Sequence, residues 1–290
     1  MIRIKSGQSI ADAIKKAPHG PLTIILEEGF YREKINIFRG DVTLIGEGSA
    51  VIDFDDRHGT MVDGKELNTG DSATFTVGAP NFRAENITFQ NSFDFPYWNE
   101  WNKNNPGSRI DTQAVAFRTV FGASNTVLTN CVFKGHQDTI YLDAGCHYFN
   151  NCKIYGCVDY IFGSGLALFE KCEICSNGEG YVTAPSTFDE DEIGFIFNAC
   201  SFTSTGIEDE SVFLARPWHP AGSLNRKPMA TFIDSEFQSH INKELWTYMH
   251  SRTPQGVERK WLPEESRFKI EQKEQAAFLL EKAKILCQIS

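Results

Sequence analysis

Asn130-Cys131-Val132-Phe133-Lys134-Gly135-His136-Gln137-Asp138 is followed, 21 residues on, by Asn151-Cys152-Lys153-Ile154-Tyr155-Gly156-Cys157-Val158-Asp159. The first four residues of this stretch recur twice more, as Lys171-Cys172-Glu173-Ile174 and Ala199-Cys200-Ser201-Phe202. Two further copies, Asn86-Ile87-Thr88-Phe89 and Asp234-Ser235-Glu236-Phe237, lack the cysteine. Each unit places an apolar or small residue at its second position, an apolar one at its fourth and, with one exception, a polar one between. That alternation marks a half-buried strand. Short strands recurring every twenty-odd residues predict a β-solenoid, in which equivalent residues of successive coils lie one above another. The four cysteines then form one internal ladder, and the Phe and Ile residues form a second.

Working outward, both ends of the solenoid need caps. Ser9-Ile-Ala-Asp12 has the form of a capping box, and Ile10, Ala13, Ile14 and Ala17 follow at helical spacing before Gly20. A second helix is expected from about Glu271 to Cys287, packed on the solenoid with a charged outer face. The stretches Phe93 to Ile110 and Arg216 to Pro228 interrupt the repeat and read as long loops. Trp98 and Trp101 on the first of these either stack on sugar rings or pin the loop down.

The one-coil step also aligns polar residues. Asp138 and Asp159 each lie seven residues after a ladder cysteine, so they are expected to sit on adjacent rungs roughly 5 Å apart. Two carboxylates that close divide their labour, one holding a proton while the other is an anion. Gln137 adjoins Asp138, and Gln113 lies about one coil earlier; amide N–H groups there could donate to an oxyanion. Arg216, in Leu214-Ala-Arg-Pro-Trp218, could pair with one aspartate and hold it anionic. His136 reads as a flanking residue rather than a base.

Composition narrows the function. The chain has 290 residues, long enough for one large domain, and all of it is expected to form a single unit. Phe is abundant at 23 copies, which favours β structure. A net charge of −10 gives no electrostatic reason to bind nucleic acid or an anionic membrane. No apolar run reaches the length of a membrane span. The N-terminal Met-Ile-Arg-Ile-Lys shows no apolar leader, so a cytoplasmic location is expected, the alternative being a secreted protein whose leader has been removed. All eight cysteines are expected as reduced, mostly buried thiols. Neither a zinc set nor a calcium cluster is present in the pattern, and no metal or cofactor is expected.

Taken together, Gly29-Phe-Tyr-Arg-Glu33, Asn86-Ile-Thr-Phe-Gln-Asn91, Gln113-Ala-Val-Ala-Phe117, Gly135-His-Gln-Asp-Thr139, Val158-Asp-Tyr-Ile-Phe-Gly163 and Ala215-Arg-Pro-Trp218 resemble the pectin methylesterases, carbohydrate esterase family 8. The resemblance spans nearly the whole chain. It implies an all-β fold, a right-handed single-stranded parallel β-helix, and metal-free hydrolysis of galacturonate methyl esters in pectin or methylated oligogalacturonides by a monomer. It implies Asp159 as nucleophile, Asp138 as general acid and base, Gln113 and Gln137 as oxyanion donors, and Arg216 as the group orienting Asp159. Trp218 and Phe162 would line the subsite near the ester; Tyr141 and Tyr160, with Trp98 and Trp101, complete the candidate substrate contacts. Ala215 and Ser164-Gly165 depart from the commonest family pattern without removing a catalytic group. A glycoside hydrolase on the same scaffold would use the carboxylates but not the glutamines. A pectate lyase would need calcium ligands, and a non-catalytic carbohydrate-binding solenoid would need neither aligned pair.

Overall fold

The computed structural model describes residues 1–253 and 255–288. Its parallel strands stack coil on coil into a β-helix with three faces. The first face runs from Ile2–Ile4 through Leu22–Leu26, Val42–Gly46 and onward to Met229–Ile233 and Arg267–Glu271. The second carries Gly29–Arg32, Val132–Lys134 and Ser201–Ser204. The third carries Ile35–Ile37, Phe75–Val77, Phe117–Thr119, Ile140–Leu142 and Val212–Ala215. Long strands such as Lys153–Gly163 and Glu173–Pro185 bend around a corner and join the second face to the third.

The corner between the first and second faces explains the leading residue of the repeat. Asn86, Asn130, Asn151, Lys171, Ala199 and Asp234 all adopt φ between 42° and 57°. One left-handed residue turns the chain from face to face, and Asn tolerates that conformation best among residues with a Cβ. The Asn151 amide also donates to Asn130 Oδ1 at 2.7 Å.

Inside, the expected ladders are present. Phe89, Phe133, Ile154, Ile174, Phe202 and Phe237 are in register down the second face. Cys131, Cys152, Cys172 and Cys200 are buried free thiols on successive coils. Phe149, Phe169, Phe197 and Phe232 form a further stack on the first face, with ring centroids 4.5, 4.7 and 4.9 Å apart. Offset aromatic contact adds about 0.5–1.5 kcal/mol per pair beyond burial.

Helix α1 (Ile10–Lys16) closes the N-terminal end with Ile10 and Ile14 buried. Ser9 Oγ accepts from Asp12 N–H at 3.0 Å, but Glu33, not Asp12, supplies the other half of the cap: its carboxylate accepts from Ser9 Oγ and from the Ile10 N–H. The segment expected as an irregular loop after Phe93 is largely helix α2 (Phe95–Asn104), capped by Asp94 and tied to Ile110 by Asn102, whose amide donates to Ile110 O and accepts from Ile110 N–H. Only Phe95 and Asn102 of this helix are buried, so it has no continuous apolar stripe to show a helical period.

Helix α3 (Lys273–Leu286) packs Ala276, Leu280 and Ala283 on Leu168, Ile196 and Ile233, the outward side chains of the first face. Its outer face is not wholly charged, because Phe278 and Ile285 are exposed. Among the described residues no helix is long and apolar enough to cross a membrane.

The expectation of eight reduced thiols is corrected here. Cys146 and Cys287 form a disulfide with Cα atoms 5.1 Å apart, and six cysteines remain free. Neither residue belongs to the ladder: Cys146 begins a first-face strand and Cys287 ends α3, so packing of the helix brings them together. The bridge closes a loop spanning 141 residues of sequence and should stabilise the fold by about 2–5 kcal/mol. Reductant is expected to lower the melting temperature, and six thiols, not eight, should titrate after denaturation without reductant. A melting curve indifferent to reductant would show that the bridge contributes nothing.

Candidate active site

The second corner of the solenoid holds the aspartates. Asp138 and Asp159 adopt φ of 64° and 49°, so each makes the same one-residue left-handed turn on its coil. The Asp138 N–H donates to Val158 O at 3.0 Å, which fixes the two turns one above the other. Close packing holds these coils together: a Cβ on Gly156 would lie 2.9 Å from His136 O, and one on Gly163, at φ 128°, would lie 2.0 Å from Leu142 O.

Both carboxylates open into a cleft of about 910 Å³ while remaining largely buried. Arg216 grips Asp159 with two parallel bonds, Nε to Oδ1 at 2.8 Å and Nη2 to Oδ2 at 2.5 Å. That fork matches a carboxylate. The guanidinium also lies 3.7 Å from the ring centroid of Tyr181. Asp138 has no such cation. Burial pushes its carboxyl well above the usual range, the negative charge of Asp159 pushes the same way, and Arg216 offsets part of the rise. The site therefore pairs an aspartate clamped by arginine with a second aspartate whose burial favours its protonated form.

Gln113 and Gln137 line the same cleft, on adjacent coils joined by a bond from Ala114 N–H to Gln137 O at 3.2 Å. Thr112 Oγ donates to Gln137 Oε1 at 2.7 Å, so the donor end of that amide is left for the cleft. Gln113 Oε1 is buried and accepts no hydrogen bond. Tyr141 and Phe162 stack at 4.3 Å, and Trp218 meets both edge-on at 6.2 and 5.5 Å. With Val115, Ala184 and Met249 they make an apolar wall.

Three expected contacts lie elsewhere. Tyr160 is fully buried in the core and its hydroxyl lies 3.0 Å from Ser176 Oγ, so no ligand reaches it. Trp98 and Trp101 pack against each other on α2 and do not line the cleft. His136 stacks on Phe95 at 5.2 Å, and burial lowers its pKa, as suits a flanking residue. Sequence reasoning missed Thr112, Tyr181, Tyr248, Met249 and His250. The one available signal was for Tyr181, which lies one coil step, 22 residues, after Asp159.

A solenoid carrying two paired aspartates, one of them clamped by arginine, in an aromatic-walled cleft has the build of a carbohydrate-active hydrolase. The pectinesterase family profile matches residues 5–255. Pectinesterase A of Dickeya chrysanthemi is 34% identical over 289 residues, covering 91% of this chain and 78% of that protein. The pectin methylesterase of Yersinia enterocolitica superposes with a TM-score of 0.84 at 34% identity, over 91% of this chain and 89% of that one. A pectin methylesterase in complex with a hexasaccharide superposes with a TM-score of 0.86 at 31% identity, over 93% and 87%. The chain belongs to the pectinesterase family and is a pectin methylesterase.

Proposed function

We propose that this enzyme removes methyl esters from galacturonate units of pectin or its oligosaccharides in two half-reactions through Asp159. An oxygen of Asp159 adds to the ester carbonyl carbon, and the amides of Gln113 and Gln137 donate to the oxyanion. As the C–O bond to the methoxy group breaks, Asp138 gives its proton to the departing oxygen, and methanol leaves. The galacturonyl group is then held on Asp159 as an acid anhydride. Asp138, now a carboxylate, takes a proton from water whose oxygen attacks the galacturonyl carbonyl; the product acid leaves, and both aspartates return to their starting forms. Arg216 keeps an oxygen of Asp159 aimed at the ester. The Tyr141, Phe162 and Trp218 wall receives the methyl group and neighbouring ring faces. No cofactor enters either half-reaction.

The observation that carries this reading is the asymmetry of the pair, with Arg216 on Asp159 and burial without a cation on Asp138. A related enzyme's capture of a hexasaccharide supports a chain-like substrate. The test is to incubate the protein with highly methylated pectin and follow methanol and viscosity together. Methanol with unchanged chain length is expected. Chain shortening without methanol would overturn the reading in favour of a glycoside hydrolase. The enzyme is proposed to act as a monomer. The Cys146–Cys287 bridge suits an oxidising compartment, so we place the protein there and not in the reducing cytoplasm expected from its N-terminus.

A further inference from the structure

We propose that the groove behind the catalytic loop is a second binding site, one that holds the acidic, demethylated stretch of the polymer while the cleft works on the next esters. This rests on the esterase reading above.

The groove encloses about 580 Å³ and shares no lining residue with the cleft, although both are built on the loop Gly135–Asp138. His136 faces the groove, whereas Gln137 and Asp138 face the cleft. Backbone bonds from Cys157 N–H to His136 O and from Asp138 N–H to Val158 O make the loop a rigid partition. The far wall is the start of α2, through Phe93, Asp94 and Pro96. That gives the inserted helix a role that its absence from the cleft had left open.

The lining suits an acidic sugar. Lys134 supplies a cation. Lys153, one coil on and in register with Val132, is neutralised by Glu173 at 2.6 Å, whereas Lys134 has no such partner among the described residues. Tyr155 stands in register with Lys134 one coil on and offers a ring face of the kind sugars stack on. Asn177 donates to Gly135 O at 2.9 Å, which fixes its side chain against the catalytic loop at the floor of the groove. Gln90 gives its N–H to Asp53 and has its oxygen left over. The one carboxylate on the groove, Asp94, is engaged in capping α2 through the Tyr97 N–H. A galacturonate carboxylate can pair with Lys134, and its methyl ester cannot. The groove therefore distinguishes the product of the reaction from its substrate. A polymer already partly demethylated is held close to the cleft and converted in runs.

The experiment compares wild type, Lys134→Ala, Lys134→Arg and Tyr155→Ala on two substrates: fully methylated trigalacturonate, too short to occupy both sites, and long, partly demethylated pectin. All four proteins should turn over the trimer equally. On the polymer, KM should rise about 2- to 5-fold in Lys134→Ala and Tyr155→Ala, as loss of one exposed ion pair or one stacking contact allows. Lys134→Arg should retain wild-type KM, and the Lys134→Ala effect should fade at high salt. Polymer KM unchanged in both alanine variants would overturn the proposal. So would an equal loss on trimer and polymer, because the substitutions would then be acting through the catalytic loop. Titration with unmethylated polygalacturonate makes the same comparison without turnover. A wild type that binds it through Lys134 yet releases no methanol would sink the esterase reading and leave the groove standing.

Discussion

Asp159→Asn is expected to reduce methanol release by about 10⁴-fold or more while the chain remains folded, because the amide keeps the side chain's shape and removes its nucleophilic oxygen. The backbone accepts the change: φ is 49° at this corner, a conformation in which Asn is at home. Asn can still accept one hydrogen bond from Arg216, but the largely buried guanidinium loses its counter-charge. A cost of about 3 kcal/mol is expected, visible as a lower melting temperature with an unchanged far-ultraviolet spectrum. Alanine would be a poorer test, since it adds strain at the corner to the lost chemistry. A variant of confirmed mass that kept methanol release within tenfold of wild type would remove Asp159 from the mechanism.

Asp138→Asn should lower turnover by about 10²- to 10⁴-fold, the range for a lost general acid and base. Its effect on stability should have the opposite sign. In the unfolded chain Asp138 ionises near pH 4. In the folded protein burial and the charge of Asp159 hold it protonated to higher pH. Between those two points the folded state binds more protons than the unfolded state, so the wild type loses stability as pH rises, by at most about 1.4 kcal/mol per unit from this one group. Asparagine, a neutral shape-mimic of the acid, does not carry that loss. The melting temperatures of variant and wild type should lie close together near pH 4 and diverge toward neutral pH, with the variant above. A difference independent of pH would mean that Asp138 is not held as an acid. Wild-type turnover should fall on the alkaline side as Asp138 gives up its proton.

The repeat was legible because a β-helix writes its geometry as a period. A left-handed corner residue followed by alternating apolar positions fixes each coil, and the 21-residue step that aligns Cys131 with Cys152 also aligns Asp138 with Asp159. Arg216 was legible through its motif, and its grip on Asp159 follows from stacking. Residues outside the period were not. Met249 and His250 reach the cleft from the strand Met249–Arg252, which pairs antiparallel with Glu258–Trp261, and Tyr248 directly precedes that strand, so the coil period does not announce them. For Trp98 and Trp101 the sequence left two roles open, stacking on sugar or pinning the insertion down; on α2 they pack against each other and do not line the cleft. Tyr160 follows Asp159 directly, yet it points inward, where only the pleat, not the motif, could have placed it. The disulfide was hidden because Cys287 pairs with a residue that α3 reaches only once it has docked.

The paired corner turns have one more implication. The span between acid and nucleophile is set by the rise from one coil to the next, a ruler made of backbone hydrogen bonds, and not by side chains that can repack. Each coil touches only its immediate neighbours. Damage therefore stays local: loosening α3 or fraying the coils near α1 should make the protein easier to melt while leaving turnover per folded molecule unchanged. The catalytic spacing should persist until the coils that carry it come apart, so activity should disappear abruptly on heating, without an earlier gradual decline.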